Sequence, residues 1–269
     1  MPRTLTRRED PSPELTGNSS RPASYQRTAR RIVVALSLIP AILVAPAAAQ
    51  KKRRAPAGGR AAVVVDERLA ALREEPRLTG ALVQRLGRGR AVTLTGARRE
   101  ADGVTFQQVM VTRRTRGWLQ SDSLAAPWRA GDEARLLALV RASAGYDRVE
   151  RARIFLDLFP RSPSRPQALL LYGEAAEGAA PALSRAAAGR FSAERLPANG
   201  APPHSYYLNF SGLDRWGRQG VTFAFDAAAK QFRYDGAAWR EILSRYPRSP
   251  EAAEARRRLD ASAATAGTR

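Results

Sequence analysis

The chain has 269 residues, 44% of them hydrophobic, and a formal charge of +20, so it has enough apolar content to bury a core and is not composed like a disordered chain. It contains no cysteine and a single histidine, His204, which excludes disulfides, a disulfide-linked partner, a thiolate nucleophile, Cys-ligated metal and two-histidine metal sites. Lys51, Lys52 and Lys230 are its only lysines, and an arginine excess amid abundant Ala, Gly and Pro is what a GC-rich coding sequence imposes on any surface.

The N-terminal segment has the order of an export signal. Arg30-Arg31 precedes an apolar stretch from Ile32 to Ala49 that ends in three alanines before Gln50, which is the positive, apolar, small-residue sequence of a secretory leader. Residues 1–49 are therefore expected to be a signal peptide. Export predicts a periplasmic or extracellular protein, with membrane attachment only through an uncleaved leader. Removing those residues takes away seven arginines and three acids and still leaves +16. Residues 50–60, basic and carrying Pro56 and Gly58-Gly59, read as a flexible linker.

From Val63 to Leu124, short runs rich in Val, Leu, Thr and Phe alternate with Gly-, Pro- and Arg-rich turns, the pattern of a small all-β barrel or sandwich. Strands are predicted at 63–65, 69–73, 81–85, 91–97, 104–112 and 116–119. Three stretches, Leu69 to Pro76, Ala81 to Leu94 and Gly117 to Leu124, resemble a bacterial SH3-type (SH3b-like) domain in order and spacing, over residues 61–128. In that family a Leu-x-Val-Arg-x-x-Pro opening leads to a Gly-x-x-Val hairpin and a closing Gly-Trp. Here Glu74-Glu75 stand where the family has Ser-Gly. The resemblance implies an SH3-like β-barrel that binds an extended peptide or peptidoglycan, with Trp118 and Arg73 at its groove. Trp118 is equally readable as a buried closing tryptophan. Arg113, Arg114 and Arg116 form a basic cluster beside it that could meet carboxylates or simply be a solvated hairpin tip.

Beyond Asp132 the apolar period changes from two to about 3.6. Asp132 is placed to cap a helix carrying Leu136, Leu137 and Val140, and Asp147 a second carrying Val149, Ala152, Phe155 and Phe159. Ile154 to Pro163 is then echoed by Glu241 to Pro250. Each copy ends a helix on an aromatic residue and turns through Pro-Arg-Ser-Pro, and Ser249 before Pro250 reads as a cap. The unit resembles the second half of a tetratricopeptide repeat joined to the next helix, so residues 129–269 are expected to form a repeat-like helical domain. Between the copies, an Ala-rich helix from Ala179 leads to a Pro-rich break at 197–203. Tyr206, Phe210 and Leu213 keep helical spacing, and Val221 to Phe225 with Gln231 to Tyr234 predicts an inserted β-hairpin.

The fold class is thus a multidomain α+β protein, an SH3-like barrel followed by a helical repeat-like domain with an inserted hairpin. Asp214, Asp226 and Asp235 sit at predicted caps and turns without the spacing of paired catalytic carboxylates. No phosphate-binding Gly loop and no nucleic-acid motif is present, so no catalytic residue, cofactor or metal site is assigned. The aromatic segment offers Tyr206, Tyr207 and Trp216 as partner-binding candidates, because aromatic anchors dominate interface energies. The expected function is a non-catalytic cell-envelope binding or scaffold protein recognising peptidoglycan or an envelope protein. The competing readings are a charge-driven binder of anionic polymer, lipid or nucleic acid, the last disfavoured, and an envelope enzyme with an unrecognised carboxylate site.

Overall fold

The computed structural model describes residues 60–191 and 200–267, with side chains through 264. The leader, nearly all of the linker and the first three residues of the proline-rich break (197–199) lie outside the described residues. What is described belongs to one compact unit of mixed α+β class.

The first part is a seven-stranded antiparallel sheet. Its strands are β1 (Arg60–Val64), β2 (Ala71–Arg73), β3 (Leu82–Arg85), β4 (Ala91–Ala101), β5 (Val104–Met110), β6 (Arg116–Gln120) and β7 (Leu124–Ala125), in spatial order β3-β2-β6-β5-β4-β1-β7. The alternating segments of the sequence thus become strands, with β4 extended to Ala101 and β7 added. The ladder ends at β3 and at β7 and does not close into the barrel that was expected. β4 and β5 meet through Asp102 and Gly103, both at positive φ, the backbone of a two-residue hairpin whose twist matches that of its strands. Asp102 also accepts a 2.6 Å hydrogen bond from Leu78 N–H, tying this tip to the β2–β3 loop. Within β4 the register against β5 shifts between Leu94 and Arg98, and Gly96 lies there at φ +97°, where a bulged strand needs glycine. One face buries Val64, Leu72, Val92, Val109, Leu119 and Leu124; each such side chain contributes about 1.5–3 kcal/mol.

The helices follow as α1 (Asp132–Ala142), α2 (Gly145–Leu158), α3 (Arg165–Arg190), α4 (Pro203–Leu208) and α5 (Asp214–Arg218). The predicted hairpin forms as β8 (Phe223–Asp226) paired with β9 (Gln231–Tyr234), and α6 (Ala237–Arg245) and α7 (Glu251–Gly267) complete the chain. The helix α3 is the spine, packed against α2, α6, α7 and β9. It runs unbroken through Pro181, joining the helix expected after Pro163 to the Ala-rich helix expected from Ala179. Proline there removes one N–H bond, and the buried Ala175, Ala176, Ala180 and Leu183 around it hold the helix by packing.

The sequence echo is also an echo of geometry. Phe159 and Tyr246 are the two C-caps, with φ, ψ of −121°, 61° and −133°, 47°. Their amides bond to Phe155 O and Ile242 O, and the following serine amides, Ser162 and Ser249, bond back to Phe159 O and Tyr246 O. The predicted side-chain caps are not made. Ser249 Oγ is buried without a hydrogen-bond partner. Gly131 is the N-cap of α1, while Asp132 is its first residue and accepts from Ala126 N–H at 2.8 Å and Arg129 Nε at 2.7 Å. Asp147 lies inside the first turn of α2, its carboxylate engaged by Arg88. Cross-bonds to a distant cation or amide compete with local capping, and here they win.

The sheet and the helices are joined by buried polar contacts. Val65 and Ala125 pack into the helical core. Arg151 of α2, its side chain 8% exposed, donates to Val65 O and Ser143 Oγ and lies 3.9 Å from Asp66. Trp128 donates its indole N–H to Ala61 O at 3.0 Å.

Candidate functional site

Two surfaces present chemistry that the cores do not use. The first is one face of the sheet. Residues paired across antiparallel strands share a face, and the register Leu82 with Arg73, Arg73 with Trp118, and Trp118 with Gln108 draws one row across β3, β2, β6 and β5. Trp118 is half-buried in this row, neither an open platform nor a core residue. Leu82, at the edge, is 50% exposed, with Val83 and Leu78 exposed beside it. Arg73 is oriented by a 2.6 Å bond to Gly80 O, and Gln108 by Thr95 Oγ1 at 2.8 Å.

Arg116, two residues before Trp118 on β6, shares that face and is exposed. Arg113 and Arg114 are exposed in the β5–β6 turn, which Thr112 Oγ1 shapes by accepting from the amides of Arg114 and Thr115. The structure therefore brings Arg73, Trp118 and Arg116 together and leaves Arg113 and Arg114 at the solvated tip.

The aromatic candidates divide. Tyr207 and Trp216 are each 3% exposed, so they are core residues and not the partner-binding anchors expected. Tyr207 stacks on Phe225 at 4.4 Å, and Trp216 meets the edges of Tyr146 and Phe223 at 5.3 and 5.9 Å. Tyr206 is half-buried beside Phe191. A hairpin folded against short helices needs this much aromatic volume to fill its interior. His204 is exposed. Asp226 accepts from the amides of Ala228 and Ala229, and Asp235 from that of Ala237, the turn roles their positions predict.

The second surface is a cleft of about 830 Å³ between the β3–β4 connection and the helices α2 and α5. Arg85, Arg88, Arg90, Arg153 and Arg218 line it against only two acids, Glu150 and Asp157. Apolar walls come from Val63, Leu86, Val111, Ile154 and Leu158. Arg88, its side chain 3% exposed, is held by Glu67, Asp147 and Glu150 at 3.0–3.1 Å. Burial alone would pull Arg88 down, but the hydrogen bond to Asp147 and the three carboxylate charges hold it above its usual range. Burial raises Glu150, against the opposing charge of Arg88. The three converging carboxylates are thus each paired with the same guanidinium.

In this same cleft the Nε atoms of Arg88, Arg90 and Arg153 are all buried without a hydrogen-bond partner. Each such orphaned donor costs about 1–3 kcal/mol. Sequence reading missed these residues because nothing in their spacing relates 85–90 to 153 and 218. The faint signal was Gly87-Arg-Gly89-Arg90, a turn rich in both glycine and charge.

Among the described residues no cluster of three His, Cys, Asp or Glu side chains could hold a metal, and no helix is long and apolar enough to cross a membrane. No family model, curated protein or solved structure matches the chain.

Proposed function

We propose that this is an exported, non-catalytic binding or scaffold protein of the cell envelope, whose sheet face recognises peptidoglycan or an extended envelope peptide. The sheet is read as an open variant of the bacterial SH3-type domain. The helices α2–α3 and α6–α7 are read as two tetratricopeptide-like turns that offer a second docking body. The observation that carries the reading is the row Leu82–Arg73–Trp118–Gln108, an apolar edge leading to a half-buried indole flanked by guanidinium groups. An indole beside fixed arginines suits an extended chain bearing carboxylates, because stacking and paired charge act together. The engagement of Glu67, Asp147 and Glu150 by Arg88 counts against the enzyme reading.

The test is co-sedimentation of the full chain with purified cell-wall sacculi at low and high salt. Salt-resistant pelleting that falls at least fivefold in Trp118→Ala supports wall recognition by the sheet face. Pelleting that vanishes on mild salt, or that Trp118→Ala leaves untouched, rejects it.

A further inference from the structure

We propose that the cleft between the β3–β4 connection and α2 is a second binding site, for an organic oxyanion, carboxylate or phosphate ester, carried on an apolar stem of about tripeptide size. It is a separate site from the sheet face, and it stands or falls independently of wall recognition.

Three observations converge. First, the cleft is charged in excess. Its two acids are spoken for, Glu150 by Arg88 and Asp157 by Arg153. The side chain of Arg85 makes no hydrogen bond or ion pair among the described residues, and that of Arg90 has only a 3.4 Å contact with Val111 O. Second, Arg88 is 97% buried as a side chain and three carboxylates hold its terminal nitrogens, so one guanidinium is fixed in the wall beside the uncommitted side chains of Arg85 and Arg90. An oxyanion is the partner that such a cluster of guanidinium groups lacks. Third, the walls are apolar and the volume of about 830 Å³ falls within the usual range for small-molecule sites. Cβ atoms at Gly87 or Gly89 would meet nothing within 4 Å, so the rim on that side is open to an entering ligand.

The arrangement is specific, with one fixed guanidinium in the wall and two uncommitted cations beside it.

The test uses the full chain, titrated with citrate and with pyrophosphate at fixed ionic strength and followed by calorimetry and by the arginine Nε–Hε resonances in NMR. The expected result is saturable binding by at least one probe, with the Nε–Hε signals of Arg85 and Arg90 moving together. The preferred probe identifies the source, citrate for a carboxylate ligand and pyrophosphate for a phosphate ester. Arg85→Gln/Arg90→Gln should weaken binding about tenfold or more with an unchanged near-UV spectrum. Arg113→Gln/Arg114→Gln removes the same charge elsewhere and should leave it unaltered. The proposal is overturned if neither probe saturates, if the two double variants weaken binding equally, or if the Nε–Hε signals of Arg85 and Arg90 stay still while the probe binds.

Discussion

Gly173 of α3 lies directly against the indole of Trp239 of α6: a Cβ at position 173 would sit 2.5, 2.6 and 2.8 Å from three atoms of that ring. Trp239 is 1% exposed, so the ring has nowhere to move. The contact sets how closely α3 approaches α6. Gly173→Ala is therefore expected to destabilise the protein by about 1–3 kcal/mol through overpacking, even though alanine gains about 1 kcal/mol of helix propensity. Gly178, one and a half turns further along the same helix, faces open space, and Gly178→Ala should stabilise by about 0.5–1 kcal/mol. Urea unfolding of the two variants checks the pair. Equal effects would mean that the Trp239 contact does not set the packing.

What the sequence makes legible follows how far apart the cooperating residues lie. Alternation in 91–94 and 104–110, and the Pro-Arg-Ser-Pro turns after Phe159 and Tyr246, are local patterns, and each becomes the expected element. The hairpin of Phe223 with Tyr234 is nearly as local. Closure of the sheet is not local. It depends on whether β3 meets β7, forty residues apart, and no pattern within either strand reports that they do not. Tyr207 and Trp216 were misplaced for a related reason. An aromatic side chain looks alike in sequence whether it anchors a partner or fills a core, and only Phe191, Phe225 and Tyr146 arriving around them decides it. The arginine cleft is the extreme case, assembled from β3–β4, α2 and α5.

Ser184 links α3 to the inserted hairpin. Its hydroxyl donates to Ala180 O and accepts from Phe232 N–H, both at 2.8 Å and both buried. Phe232 lies on β9, and this bond gives its amide a partner where a two-stranded ladder alone supplies none. Ser184→Ala strands that N–H in an apolar setting and should cost about 1–3 kcal/mol. Hydrogen exchange at Phe232 should quicken more than at Phe155 in the α2 core. Unchanged exchange at Phe232 would show that the hairpin is held by its aromatic packing alone.

Two carboxylates at the junction of sheet and helices respond to pH in opposite directions. Asp66 is held below its ordinary value of 3.8, first by the side-chain hydrogen bond from Arg68, with burial opposing. A depressed carboxyl stabilises the fold above its unfolded value, and that contribution is lost as pH falls through the folded one. The stability gap between wild type and Asp66→Asn should therefore be full at neutral pH. It should close below pH 3.8. Glu150 is raised above 4.5, chiefly by burial. The folded state holds its proton more tightly than the unfolded one, so its contribution is largest in acid and falls as pH climbs through the folded value. Relative to Glu150→Gln, the wild type should lose stability as pH rises above 4.5. Thermal unfolding from pH 3 to 8 checks both, and parallel curves for wild type and either variant would refute that assignment.

Gly117 governs whether the sheet face exists at all. A Cβ there would lie 2.5 Å from the backbone oxygen of Arg73 and 3.0 Å from Leu72 Cγ. β2 and β6 are registered through the single pair Arg73 and Trp118, so a clash with backbone at that point has no flexible side chain to absorb it. Gly117→Ala should push β2 away from β6, free the amides of the β2–β6 ladder to exchange and tilt Trp118 out of its row. Because β3 is held to the sheet only through β2, the edge carrying Leu82 and Val83 should loosen with it, while the helical core keeps its protection. Residue-resolved hydrogen exchange separates this from global destabilisation. Loss confined to β2, β3 and β6 is the expected result, and uniform loss across sheet and helices would mean that Gly117 supports the whole fold and not this face.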